Sequence, residues 1–179
     1  IDVIKRYNVK KILFSAVSYK SALYDEFLSE INKYNINLEI AQANRDFDLG
    51  NGLFFDVVYP VISFAGKSID NLNNSSVVFK LIYGNEKILF TGDCEIECED
   101  NILITDFDLK ANILKAPHHG SKTSSSINFL NSVKPESVII QVGKDNKFNH
   151  PSQETLDKFE NMELEIFRND LLGTIDFEF

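Results

Sequence analysis

The stretch "VVFKLIYGNEKILFTGD", residues 77–93, decides the fold. Two runs rich in β-branched and aromatic residues flank Gly84-Asn85, a dipeptide suited to a tight reversal, so the segment predicts a β-hairpin. Thr91-Gly92-Asp93 then follows directly on the apolar "KILF", a polar turn at a strand tip. The same arrangement recurs twice downstream. "ANILKAP" (111–117) reads as a buried strand and runs into His118-His119-Gly120; "ESVIIQVG" (136–143) reads as a strand and leads to the loop Asn146 to His150. In layered α/β folds the loops at one sheet edge form the site, because the strands give a rigid base on which loops converge. If these strands are neighbours, Asp93, one of the paired histidines and His150 meet in one cleft.

Working outward, "KKILFSAV" (10–17) reads as a strand, "SALYDEFLSEINKY" (21–34) as an amphipathic helix and "NLEIAQA" (37–43) as a strand, giving a β-α-β start. "GNGLFFDVVYP" (50–60) is a turn and strand, and "GKSIDNLNNSS" (66–76) a polar loop. "CEIECEDNIL" (94–103), "SINFLNSV" (126–133) and "SQETLDKFENM" (152–162) are helical, with Ser152 near the start of the last. "LEIFRN" (164–169) and "GTIDFEF" (173–179) are expected as closing strands. The pattern is α/β, with a substantial hairpin-built sheet and helices covering sheet faces.

A chain of 179 residues with 44% hydrophobic content can bury one domain's core, and fifteen phenylalanines point to a packed interior. No window approaches ~18 consecutive apolar residues and no signal-peptide pattern opens the chain, so no membrane contact is expected from this segment itself. Cys94 and Cys98 are too few for a disulfide scaffold. At i,i+4 spacing they would share a helix face, and are expected as buried free thiols rather than redox or metal groups. A net charge of −9 argues against a generally nucleic-acid-coating surface. The charge is uneven: Lys110 to Lys147 carries six lysines against two acids, whereas Asp93 to Asp108 carries seven acids and no base. The basic stretch suits an anionic substrate; solvated lysines clustered by chance would read the same way.

An aspartate with one or two histidines suits zinc, or manganese where oxygen ligands dominate. A catalytic zinc needs at least three protein ligands and an open position, and paired-metal sites need more. The chain offers Asp93, His118, His119 and His150, with no histidine-rich H-x-H-x-D-H loop. Each has a plainer reading. Thr-Gly-Asp is a common turn, one of two adjacent histidines can simply pack, "TSSS" (123–126) suits a helix N-cap, and His150 can be a loop residue before Pro151.

"NNSSVVFKLIYGNEKILFTGDCE" (73–95), "ILKAPHHGSKTSSS" (113–126) and "VGKDNKFNHPSQETL" (142–156), in that order, resemble the metallo-β-lactamase-like C-terminal domain of the ComEC family, the membrane channels of bacterial DNA uptake. The resemblance covers roughly residues 50–179, and the preceding β-α-β fits more loosely. It implies a metallo-β-lactamase-like αββα sandwich, incomplete at the N-terminus: residues 1–179 form one domain lacking its first strands and its H-x-D-x-D-H-type metal motif. The start at Ile1 favours a missing upstream piece over a naturally degenerate half-domain.

What the resemblance implies for the site is a ligand set of Asp93, His119 and His118, with His119 the favoured histidine ligand and His118 facing substrate. His118, His150, Asn146 and Lys115 are the catalytic candidates, and Ser76 matches a further family position. The implied cofactor is a divalent metal, zinc or manganese, with two ions in the complete domain. The implied activity is a phosphodiesterase or nuclease tied to DNA uptake, acting on single-stranded DNA or another phosphodiester; Lys115 and Lys122 are candidate phosphate contacts, and solvated surface lysines would read the same way. The segment alone is expected to be inactive or nearly so, and the parent protein to carry a membrane channel. Two alternatives stay open: a stand-alone hydrolase of small phosphoesters or other esters, and a degenerate binding module without chemistry. The location also stays open, as a soluble domain in the cytoplasm or at the cell envelope.

Overall fold

The computed structural model describes residues 1–178. Its first unit is the expected β-α-β: β1 (Lys11–Phe14) and β2 (Asn37–Ile40) pair in parallel, joined by α2 (Ala22–Lys33). Ser21 caps that helix, its hydroxyl accepting from the Tyr24 N–H at 3.1 Å. A short α1 (Asp2–Arg6), absent from the sequence reading, contributes Ile4 to a small cluster with Ile31 and Ile36.

The second sheet runs in sequence order: β3 (Asp46–Gly50), β4 (Leu53–Tyr59), β5 (Val78–Tyr83), β6 (Glu86–Phe90), β7 (Ile113–Lys115), β8 (Ser137–Ile140) and β9 (Glu165–Arg168). β3 to β6 form an antiparallel meander, with Gly84-Asn85 turning the predicted hairpin. From β6 to β9 every pairing is parallel, because α3 (Ile96–Leu103), α4 (Ile127–Val133) and α5 (Gln153–Asn161) each carry the chain back across the sheet. The carboxyl ends of β6, β7 and β8 therefore share one edge, as the three polar clusters require.

Alternation along the strands gives the sheet two faces. Val78, Leu89, Leu114 and Val138 lie on one and build the main core with Ile102 of α3, Phe129 and Leu130 of α4 and Phe159 of α5. The other face carries Phe47, Phe55, Phe79 and Phe90, whose rings touch in succession across β3 to β6. There β1 approaches, with Lys11 Nζ 5.0 Å from the centre of the Phe47 ring. The layers run helix, sheet, sheet, helix, as the resemblance implies.

Two sequence readings are corrected. β3 was assigned no element from the sequence; it is an edge strand whose residues are mostly exposed, so no apolar run marks it. "GTIDFEF" is not a closing strand over residues 173–178, and Phe179 lies outside the described residues. The chain leaves β9 through the one-turn α6 (Asn169–Leu172) and Gly173 at φ 75°, and Phe177 returns to β9 through a ring contact with Phe167 at 5.4 Å, not through a strand ladder.

Candidate active site

The loop after β6 folds tightly because Gly92 sits at φ 55° and has no side chain: a Cβ there would lie 3.0 Å from Ser76 Oγ. Ser76 Oγ instead accepts the Asp93 N–H at 2.9 Å, fixing the aspartate at the strand tip. Thr91, fully buried, donates from Oγ1 to the Lys115 carbonyl at 2.8 Å. In return Lys115 Nζ donates to the Gly92 carbonyl at 2.8 Å, and the His118 N–H donates to that same carbonyl at 3.1 Å. The first two clusters are thus laced together. Burial pushes the Lys115 ammonium below its ordinary value, with nearby Asp93 opposing the shift. A lysine already donating to Gly92 holds a loop, whereas Lys122 is exposed.

His118 and His119 both occupy the left-handed region, at φ 45° and 55°, a conformation that costs non-glycine residues roughly 1–3 kcal/mol each. The strain turns the two rings in different directions. His119 Nδ1 lies 2.5 Å from the Gln141 carbonyl, so Nδ1 carries the proton that this carbonyl accepts. In the neutral ring Nε2 then presents a lone pair to Asp93 Oδ1 at 3.3 Å. Two acceptors facing each other at that distance repel unless a proton or a cation lies between them. Two ligands of a tetrahedral zinc, each ~2.0–2.1 Å from the ion, also stand about 3.3 Å apart, so the donor set fits a borderline divalent cation. Both side chains are about 40% exposed, open to an incoming ion.

His118 takes another direction. Its Nδ1 is buried, with Glu95 Oε1 3.0 Å away but out of line for an ordinary hydrogen bond. Glu95 is itself held by the Asn71 and Asn73 amides at 2.7 and 3.0 Å. Burial opposes its ionisation, but these donors and His118 outweigh it and hold the carboxyl below its usual value. The His150 ring lies 5.4 Å from that of His118. Burial lowers the His150 pKa, His118 and His119 lower it further, and Asp93 opposes them. Asn146 lies on the wall of the cleft but spends its amide on the loop: Nδ2 donates to the Gly143 and His150 carbonyls, and Oδ1 accepts from the Phe148 and His150 N–H groups.

All six candidates, Asp93, Lys115, His118, His119, Asn146 and His150, therefore gather at one sheet edge. Asp93 and His119 meet head to head. Among the described residues, no group of three or more His, Cys, Asp or Glu side chains is placed to hold one metal ion. The sequence reading missed Glu95, Gln141, Phe148 and Asn169. Glu95 lay one residue beyond Thr-Gly-Asp-Cys, where an acidic run hid it. Gln141 acts through its carbonyl, which no sequence signal marks.

The cysteines correct another expectation. Cys94 and Cys98 form a disulfide, fully buried, with Cα atoms 5.5 Å apart. Cys94 precedes α3 instead of lying on it, and the turn into the helix brings the two sulfurs together. The expected N-cap in "TSSS" is present: Ser126 Oγ accepts the Phe129 N–H. Behind it the buried Glu99 accepts from the Ser125 and Ser126 N–H groups at 2.6 and 2.8 Å.

Comparison with known proteins places this edge in context. ComE operon protein 3 of Bacillus subtilis is 33% identical over 124 residues, which is 69% of this chain and 16% of that protein. Competence protein ComA of Neisseria gonorrhoeae is 34% identical over 113 residues, 62% of this chain and 16% of that one. The chain belongs to the ComEC family. A further ComEC-family relative, recombination protein 2 of Haemophilus influenzae, is 32% identical over 118 residues, covering 65% of this chain and 14% of that protein. The chain thus spans about a sixth of the length of these relatives. The fold is shared with a provisionally named metal-dependent hydrolase from Parabacteroides distasonis, with a TM-score of 0.50, 10% identity, and coverage of 93% of this chain and 79% of that one. No protein-family model matches the chain. Among the described residues, no helix is long and apolar enough to cross a membrane.

Proposed function

We propose that this ComEC-family domain is the metal-dependent hydrolytic part of a competence protein, acting on phosphodiester bonds of DNA during uptake. The carrying observation is the Asp93–His119 pair, with a carboxylate oxygen and the imidazole Nε2 3.3 Å apart. Asp93 and His119 would hold the cation, zinc or manganese, and the Gln141 carbonyl would keep His119 in the tautomer that ligation needs. A bound divalent cation would acidify water and stabilise charge developing on the phosphoryl group. His118, beside Glu95, and His150 flank the pair and would bind or orient the phosphodiester. Asn146 keeps His150 in position. Lys115 fixes the Gly92 carbonyl beside Asp93, leaving Lys122 as the freer phosphate contact.

Two donors are too few for a catalytic zinc, and two ions need more still. The remaining ligands are proposed to come from parts of the parent polypeptide outside these residues, of which this domain is a small share. The 179-residue chain should bind zinc or manganese weakly in calorimetric titration, and Asp93→Ala or His119→Ala should abolish that binding. A longer polypeptide that includes the residues upstream should cleave single-stranded DNA and a model phosphodiester in the presence of the metal. If it leaves both intact with either metal, the hydrolase reading fails. Cleavage of small phosphoesters alone would favour a small-molecule hydrolase. Lack of metal binding, with both substitutions silent, would favour a binding module.

A further inference from the structure

The loop after β8 ends in a feature that hydrolysis does not need. Phe148 follows Lys147 and precedes Asn149 in a polar loop, and its ring is 66% exposed. A lone exposed phenylalanine is ordinary in itself. Its setting is not. The Asn146 side chain pins the loop at four backbone points, one of them the Phe148 N–H, so the ring is presented from a fixed base. One part of the ring lies against His150, with centroids 5.8 Å apart and planes 18° from parallel. Lys147 Nζ stands 4.9 Å from the ring centre, a cation over an aromatic face. Beside the ring opens a cleft of about 500 Å³, whose wall includes His119, Gln141, Val142 and Asn169. From Phe148 the rings continue through His150 to His118, 5.4 Å further on.

From this arrangement we infer that Phe148 is a stacking platform for a nucleobase of a single-stranded nucleic acid whose phosphate lies beside Asp93 and His119. A flat aromatic face on a hydrogen-bonded loop, flanked by lysine cations, is the pairing by which proteins bind single strands without reading sequence. Lys144 and Lys147, both exposed on this loop, supply the cationic border. Duplex bases are already stacked and cannot use such a platform, so single strands are preferred. The inference rests on the phosphodiester reading above but concerns binding, not cleavage.

The chain contains no tryptophan, so Phe148→Trp installs a single selective fluorophore at the platform. In EDTA, where cleavage cannot contribute, its emission should be quenched saturably by an oligothymidylate of about a dozen nucleotides. An abasic strand of equal length and charge should quench little. With a labelled strand and unlabelled protein, Phe148→Ala should weaken binding about ten-fold and Phe148→Tyr should preserve it. Equal quenching by the abasic strand, no quenching by either strand, or unchanged affinity in Phe148→Ala would each overturn the platform. Because metal is withheld, a protein that cleaves without stacking is told apart from one that stacks without cleaving.

Discussion

The loop edge of the large sheet and the β1-α2-β2 unit are built to different standards. At the loop edge each cluster is tied to the next: Gly92 to Lys115 and His118, Gly120 to Ser152, Glu99 to Ser125 and Ser126. Beneath it lies a continuous core reaching α3, α4 and α5. The β1-α2-β2 unit rests on three buried isoleucines and half-buried neighbours such as Phe27 and Leu38, and its surface is stitched with exposed lysine–glutamate pairs worth little individually. The difference says where geometry matters. The site requires Asp93 and His119 to keep one separation, and the sequence devotes its buried hydrogen bonds to that edge.

The comparison breaks most visibly in the main core. Phe159→Ala removes a fully buried ring under β8 and β9 and should cost about 3–5 kcal/mol, read from the denaturant midpoint. Gly120→Ala should come next, at about 2–4 kcal/mol. Gly120 is at φ 78°, and a Cβ there would lie 2.7 Å from that of Pro151, so left-handed strain adds to a clash that displaces His150. Zinc binding by that variant should weaken in the same titration, because the His118-His119 turn ends at this glycine. A Gly120→Ala protein of full stability and affinity would show that the loops are not wedged as described.

A titration sharpens the comparison at the seam between core and site. Tyr59 is buried and donates to the Asn74 carbonyl, and Asn74 Oδ1 in turn accepts the N–H of Glu95. Burial, aided by Glu97, pushes the Tyr59 hydroxyl up to about 12. The folded state therefore keeps a proton that the unfolded chain releases near pH ~10, so stability must fall as pH rises from there toward 12. The loss approaches roughly 2–3 kcal/mol at the upper end. Tyr59→Phe should abolish that alkaline slope while costing about 1 kcal/mol at neutral pH for the orphaned carbonyl. An unchanged slope would mean the hydroxyl is not held as the structure shows.

Much of this edge was legible in the sequence. An apolar run followed at once by a polar cluster marks a strand tip, so the meeting of Asp93, one of the paired histidines and His150 followed once β6, β7 and β8 were neighbours. Local signals worked where the chain's own chemistry decides structure, as with Gly84-Asn85 and the caps Ser126 and Ser152. Reading failed where a residue acts through distant partners. Glu95 matters because Asn71, Asn73 and His118 converge on it from other loops, and Gln141 because its carbonyl faces a histidine 22 positions away. The disulfide was missed because the i,i+4 argument placed Cys94 on a helix that begins only at Ile96. β3 escaped because its alternation, Asp46-Phe47-Asp48-Leu49, is only four residues long, mostly exposed, and runs straight into a Gly-Asn-Gly turn.

The smallest expected effect tests whether the two regions are independent. Ile31→Val removes one methylene from the small cluster formed with Ile4 and Ile36 and should cost roughly 0.5–1.5 kcal/mol. Among the described residues, no hydrogen bond of the Asp93–His119 edge passes through α2, whose capping and side-chain bonds stay within the first forty residues. Zinc affinity and Phe148→Trp quenching should therefore match the parent's while the denaturant midpoint falls. If Ile31→Val instead lowers metal affinity in step with stability, the first unit is helping to hold the site, and the contrast between a wired edge and a loosely packed flank gives way to a single cooperative structure.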